Sequence, residues 1–89
     1  MPQAMVDPEE VRQFARNLKK FTNDLRDRLT VVNNHLTTLG GTWRDQEHRK
    51  FVDRFEDHTK HLVKFLEEND VHVRYLQKKA DQIDEYLSS

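Results

Sequence analysis

Hydrophobic residues recur every three or four positions along this chain in two long runs, separated by its only two glycines. In the first run Val11, Phe14, Leu18, Phe21, Leu25, Val32 and Leu39 follow that spacing, and Ala15, Leu29 and Leu36 widen the same face. A helical period of about 3.6 residues lines such positions along one side. The start is marked by Asp7-Pro8-Glu9-Glu10. Asp7 can accept from the first free amides, Pro8 gives up an N–H that has no partner there, and Glu10 stands at the third helical position. The pattern predicts a first helix over 8–39, a rod of roughly 48 Å at ~1.5 Å per residue. Gly40 and Gly41 follow at once. The expectation is a left-handed glycine cap that closes the helix and lets the chain reverse.

In the second run Val52, Phe55, Thr59, Leu62, Leu66, Asn69, Val73, Leu76, Ala80, Ile83 and Leu87 keep a strict three-four alternation with no proline among them. This predicts a second helix over 45–87 and a bend at 40–44. Thr42, three residues before Asp45, offers an approximate capping box, and Asp45 itself is the alternative cap. Phe51, Phe65 and Tyr86 lie on one flank of the second seam and Val63 on the other, so the apolar face is wider than two helices need.

The expected fold class is therefore all-α, an antiparallel two-helix hairpin forming one domain over 1–89. Such a hairpin has a single layer of core, and a second hairpin packed on it would cover the surplus in a four-helix bundle. That partner is either another copy or a related chain. The seam shared by core and dimer is expected to use Phe14, Leu18, Phe21, Leu25, Phe51, Phe55, Leu62, Leu66, Asn69 and Leu76. Asn69 is its polar interruption, of the kind that fixes register or partner number at a cost in stability. Arg28 interrupts the first helix similarly, with a stem long enough to reach outward.

Composition narrows the function. The 89 residues carry 15 Lys and Arg against 16 Asp and Glu, a formal net charge of −1. That balance gives no general attraction to nucleic acid or to an anionic membrane. The cluster Arg12, Arg16, Lys19 and Lys20 reads as a solvated face, as do the i,i+4 pairs Asp24 with Arg28, Glu56 with Lys60 and Lys64 with Glu68. With no Cys, thiol catalysis, disulfides and thiolate zinc sites are excluded. There is no glycine-rich phosphate loop, and the only serines are Ser88 and Ser89. No catalytic residue and no cofactor are expected.

Five histidines, His35, His48, His58, His61 and His72, raise the question of a metal. His58 and His61 are three apart, but no glutamate stands three residues before a histidine, as a carboxylate-bridged site in a bundle requires. No metal is expected; His58 and His72 should border the seam and His61 should face solvent. No stretch approaches the ~20 apolar residues of a membrane span, and Met1-Pro2-Gln3-Ala4-Met5 lacks the basic start and apolar core of a signal peptide. The chain is expected to fold in the cytoplasm, with any export following a route that needs no cleaved signal.

The lone tryptophan stands at the break, in the order Leu39-Gly40-Gly41-Thr42-Trp43-Arg44-Asp45-Gln46, with Phe51 and Phe55 after it at helical spacing. Here the whole chain resembles the Trp-x-Gly small proteins of type VII (ESX) secretion systems, helical hairpins of about 100 residues with a tryptophan in the bend. The motif departs from the family's pattern, because Asp45 stands where its glycine would be. The family's C-terminal signal, a Tyr followed four residues later by Asp or Glu, is also missing in that form: Lys79 follows Tyr75, and Tyr86 lies too near the end. The resemblance implies a dimer of hairpins handed to a secretion ATPase or accompanying a larger cargo protein, with Trp43, Arg44 and Asp45 as partner recognition at the bend. Without its own signal, the chain would be co-exported with a partner that carries one. The alternative is a cytoplasmic bundle adaptor or chaperone that is never secreted.

Overall fold

A computed structural model describes residues 6–88. Two helices fill it: α1 is Pro8–Leu39 and α2 is Gln46–Ser88. They pack antiparallel along their lengths in a rod measuring 66 × 20 × 16 Å, with a radius of gyration of 20.0 Å. A compact globule of this length would have about 12 Å, so almost every residue lies within one side chain of solvent.

The caps follow from the local sequence. Asp7 has an extended backbone, and its side chain accepts from the Glu9 amide at 2.9 Å. At the start of α2 it is Asp45 whose carboxylate accepts from the His48 amide at 2.9 Å. Thr42 instead donates its hydroxyl back to the Leu39 carbonyl at 3.3 Å, so of the two caps the sequence offers, Asp45 forms.

The bend differs from the expected left-handed glycine cap. Gly40 has φ −60° and ψ −16°, and neither glycine has a positive φ. The chain leaves α1 by tightening its last turn: Gly41 donates to the Thr38 carbonyl at 3.0 Å, and both Thr42 and Trp43 donate to Leu39, at 3.0 and 2.9 Å. These bonds occupy carbonyls that a left-handed cap would otherwise have satisfied. Glycine serves here through its small size. A Cβ on Gly40 would sit 3.3 Å from the Thr37 carbonyl oxygen and 3.5 Å from the His48 ring.

Register is fixed by two ion pairs across the hairpin, Arg12 with Asp84 and Arg26 with Asp70. Fourteen residues along α1 correspond to fourteen back along α2, as two heptads should in an antiparallel pair. Between the helices lie Ala15, Thr22, Leu66, Val73 and Ala80, all buried, with Asn69 buried beside them. Small side chains dominate this line, which lets the two backbones approach. Thr22 is a threonine in a fully buried place because its hydroxyl donates to the Leu18 carbonyl at 2.9 Å. Val11, Leu18, Leu25, Leu29 and Leu36 of α1, and Val52, Phe55, Leu62, Leu76 and Ile83 of α2, are half-buried along the same seam.

The row of α1 turned most fully to α2 is thus Ala15, Thr22, Leu29 and Leu36. Phe14 is 58% exposed and Phe21 51%. Both belong to the three-four series read from sequence, yet in the single hairpin they stand one row outside its contact. Three adjacent rows of α1 carry apolar residues, the outermost only at Phe14 and Phe21 before Arg28 and His35, and two helices can bury only two of them.

The open face and the tryptophan bend

The two sides of the hairpin seam differ in chemistry. On one side α1 presents Arg12 and Arg26 and α2 presents Asp70, Asp81 and Asp84. Arg12 reaches Asp81 at 2.8 Å and Asp84 at 2.5 Å, and Arg26 pairs with Asp70. The hydrogen bonds to Asp81 and Asp84 push the Arg12 pKa further up, so its charge is held wherever arginine is charged. These bridges are open to solvent and act mainly on register, because exposed pairs contribute little to stability.

The opposite side is apolar and open. Phe14, Phe21, Val32 and Leu39 of α1 and Phe51 and Phe65 of α2 are exposed there. Near the bend a groove of about 370 Å³ is lined by Val32, His35, Leu36, Leu39, Phe51 and Phe55, which brings this face of both helices into one surface. At the far end Val6, Val11, Phe14 and Leu76 line a second depression, with Asp7 and Glu10 at its edge. A row of large apolar side chains along the length of a small rod is the signature of an interaction face.

Of the residues expected to form the core and dimer seam, Leu66 and Asn69 are buried; Leu18, Leu25, Phe55, Leu62 and Leu76 are half-buried; Phe14, Phe21 and Phe51 are exposed. Asn69 is 5% exposed, and its amide nitrogen has no hydrogen-bond partner. His58, His61 and His72 are all exposed. No helix among the described residues is long and apolar enough to cross a membrane. Among the described residues, no group of three or more His, Asp or Glu is placed to hold a metal ion.

At the bend Trp43 is half-buried and packs on α2. Its ring meets His48 edge-on at 4.9 Å and continues to Phe51 at 6.2 Å, which in turn lies 5.9 Å from Phe55. This aromatic ladder ties the bend to the first three turns of α2 and leads into the open face. Arg44 and Asp45 are exposed beside it, Arg44 donating its Nε to the Gly40 carbonyl at 3.3 Å. Sequence reasoning did not single out His48, whose Nε2 is buried against the bend. Its contact follows from the tight turn at residues 38–43, which a periodicity argument does not contain.

No curated protein and no solved structure matches the chain. The model of the WXG100 family, described as proteins of 100 residues with WXG, matches residues 3–86. That family is associated with substrates of type VII secretion, and its members commonly form hairpin dimers. The helical hairpin, the tryptophan at its bend and a match over nearly its whole length establish that this chain belongs to the WXG100 family.

Proposed function

We propose that this chain is a small, non-enzymatic exported or export-associated protein of a type VII-like secretion system, acting as a secreted substrate or a co-secreted partner within a dimer of hairpins. The observation that carries the reading is the apolar face left open along both helices, opposite a side where charges are already paired. A second hairpin laid on this face gives a four-helix bundle of the usual near-parallel crossing. The seam residues then divide their work. Leu66, Leu62 and Leu76 hold the hairpin, while Phe14, Phe21 and Phe51 meet the partner.

The bend is the proposed point of handover to a secretion ATPase or to larger cargo. Trp43 is anchored by His48 and Phe51 while Arg44 and Asp45 stay exposed, so a rigid aromatic corner is presented with charges around it. Before export the chain resides in the cytoplasm. The deciding experiment compares culture fluid and cell pellet of the source organism with and without the secretion ATPase, with a cytoplasmic marker for lysis. ATPase-dependent appearance in the medium is the expected result. Retention in the cells while the system is active would refute export and favour an intracellular adaptor, the reading to which Lys79 four residues after Tyr75 lends weight.

A further inference from the structure

Burial is shared unequally along the hairpin. Among the described residues Ala15, Thr22, Leu66, Asn69, Val73 and Ala80 are buried, and nothing between Thr22 and Leu66 joins them. In the register of the Arg12–Asp84 and Arg26–Asp70 pairs, all six fall in the half that holds the chain ends. Toward the bend the seam consists of Leu36, Val52, Phe55 and Thr59, each only half-buried. Grooves flank it on both sides there. One is the groove of about 370 Å³ on the open face, and the other, of about 550 Å³, is lined by Asn33, Thr37, Gly40, His48 and Val52; Leu36 borders both. Among the described residues the ion pairs across the seam also stop at Arg26 with Asp70. Between Arg28 and Arg44 the chain has no Lys, Arg, Asp or Glu at all.

The same stretch of α1 is a poor helix former. From Thr30 to Thr38 only Leu36 ranks among the strong formers, and the rest are Thr, Val, Asn and His. Thr30, Thr37 and Thr38 each donate a hydroxyl to the carbonyl four residues back at 3.1 Å, a bond that slightly destabilises and bends a helix. The aromatic ladder from Trp43 runs along α2 and includes no ring of α1. A hairpin of uniform contacts would be firmest beside its turn, where closing the loop costs least entropy. Burial, charge and propensity here all run the other way. We propose that α1 opens as a unit beyond Leu29, its last ten residues lifting from α2 while the half with the chain ends stays closed. Opening joins the two grooves beside Leu36 and bares Val52 and Phe55 of α2. A partner that engages the bend thus meets the weaker half first, and can act on it without breaking the Arg12 and Arg26 pairs. The opening does not depend on the export reading above.

Native-state hydrogen exchange of the full chain, resolved by residue with nuclear magnetic resonance at one protein concentration, tests this. Amides 30–39 are expected to share one protection level, at least about tenfold below that of amides 19–25, with the step at Leu29. Protection that falls off only over 37–39 is ordinary fraying of a helix end and overturns the proposal, as does one level across both stretches. Val73→Ala then separates a unit from a gradient. Val73 is 5% exposed in the firm half, and its truncation should lower protection of 19–25 about fivefold or more. Amides 30–39 should be unchanged, because Val73 stays packed when only the bend half opens. An equal loss in both stretches would make the hairpin a single cooperative unit and overturn the proposal. Asp70→Asn, a milder change in the same half, serves where Val73→Ala does not fold, with the same asymmetry expected. Export that depends on the ATPase neither requires nor excludes a step at Leu29, so the two readings fail separately.

Discussion

Asn69→Leu should make this hairpin more stable and its assembly less selective. The residue is 5% exposed on the seam of α2, and its amide nitrogen is shut off from solvent without a hydrogen-bond partner. A buried donor left unsatisfied costs about 1 to 3 kcal/mol, and leucine at the same helical position removes that cost while adding apolar contact. Some of the gain is lost to the larger branched side chain in a seam lined by Thr22, Leu66 and Val73. A net gain of about 1 to 2 kcal/mol is expected, which for a chain of this size raises Tm by about 4 to 16 °C. Thermal unfolding followed by far-ultraviolet circular dichroism at one fixed protein concentration measures it; concentration must be held because association itself raises Tm. Leu66→Ala provides the opposite control. That side chain is 2% exposed, and its truncation should cost about 2 to 5 kcal/mol. An Asn69→Leu protein that melts at or below the wild-type temperature would refute the account of an unsatisfied amide. If its distribution of assembled masses also stayed unchanged, the asparagine would have no part in choosing partner number.

Four further substitutions probe the bend. Asp45→Ala removes the carboxylate that accepts from the His48 amide and should lower stability by about 1 kcal/mol in urea titration, whereas Thr42→Ala should change it by less than half as much. Gly40→Ala should shift stability by under about 1 kcal/mol in either direction, because the residue is right-handed helical, the Thr37 carbonyl need give only slightly and the His48 ring lies at ordinary contact distance; a loss well above that would mean the glycine is needed for its backbone freedom. Trp43→Ala breaks the ladder to His48 and Phe51 and should leave helical content intact while export stops; a protein that loses its fold instead would make the tryptophan a structural plug.

The two helices and their reversal were legible because each signal was local and repeated: a proline and carboxylate at the start of α1, heptads without proline in α2, and glycines between them. Which rows face which neighbour was not. In α1 the rows containing Ala15, Leu18 and Phe21 all carry apolar residues, and sequence spacing accepts the series through Phe14 and Phe21 as readily as the one through Ala15 and Thr22. The choice is made by residues that periodicity treats as background. Arg12 and Arg26 find Asp84 and Asp70 only when the alanine and threonine row turns inward. The conformation of Gly40 was equally out of reach, since a tightened last turn and a left-handed cap use the same residue types. At the bend, Trp43 was legible as a single tryptophan in a break, but its edge contact with His48 depended on that turn.

The separation of rows has a consequence for how the molecule tolerates change. Ala15, Thr22, Leu66, Val73 and Ala80 serve folding, because they are buried in the single hairpin. Phe14, Phe21 and Phe65 remain 45% to 58% exposed in it and contribute less to its stability than their size suggests. Substitutions in the first group should lower stability and assembly together, since a hairpin that does not form presents no face. Substitutions in the second should weaken assembly while leaving the helical hairpin in place. A chain of this size that used the same residues for both tasks could not change its partner without unfolding. By giving each task its own row on helices long enough to carry three, this one can retain its fold while the residues of its open face change.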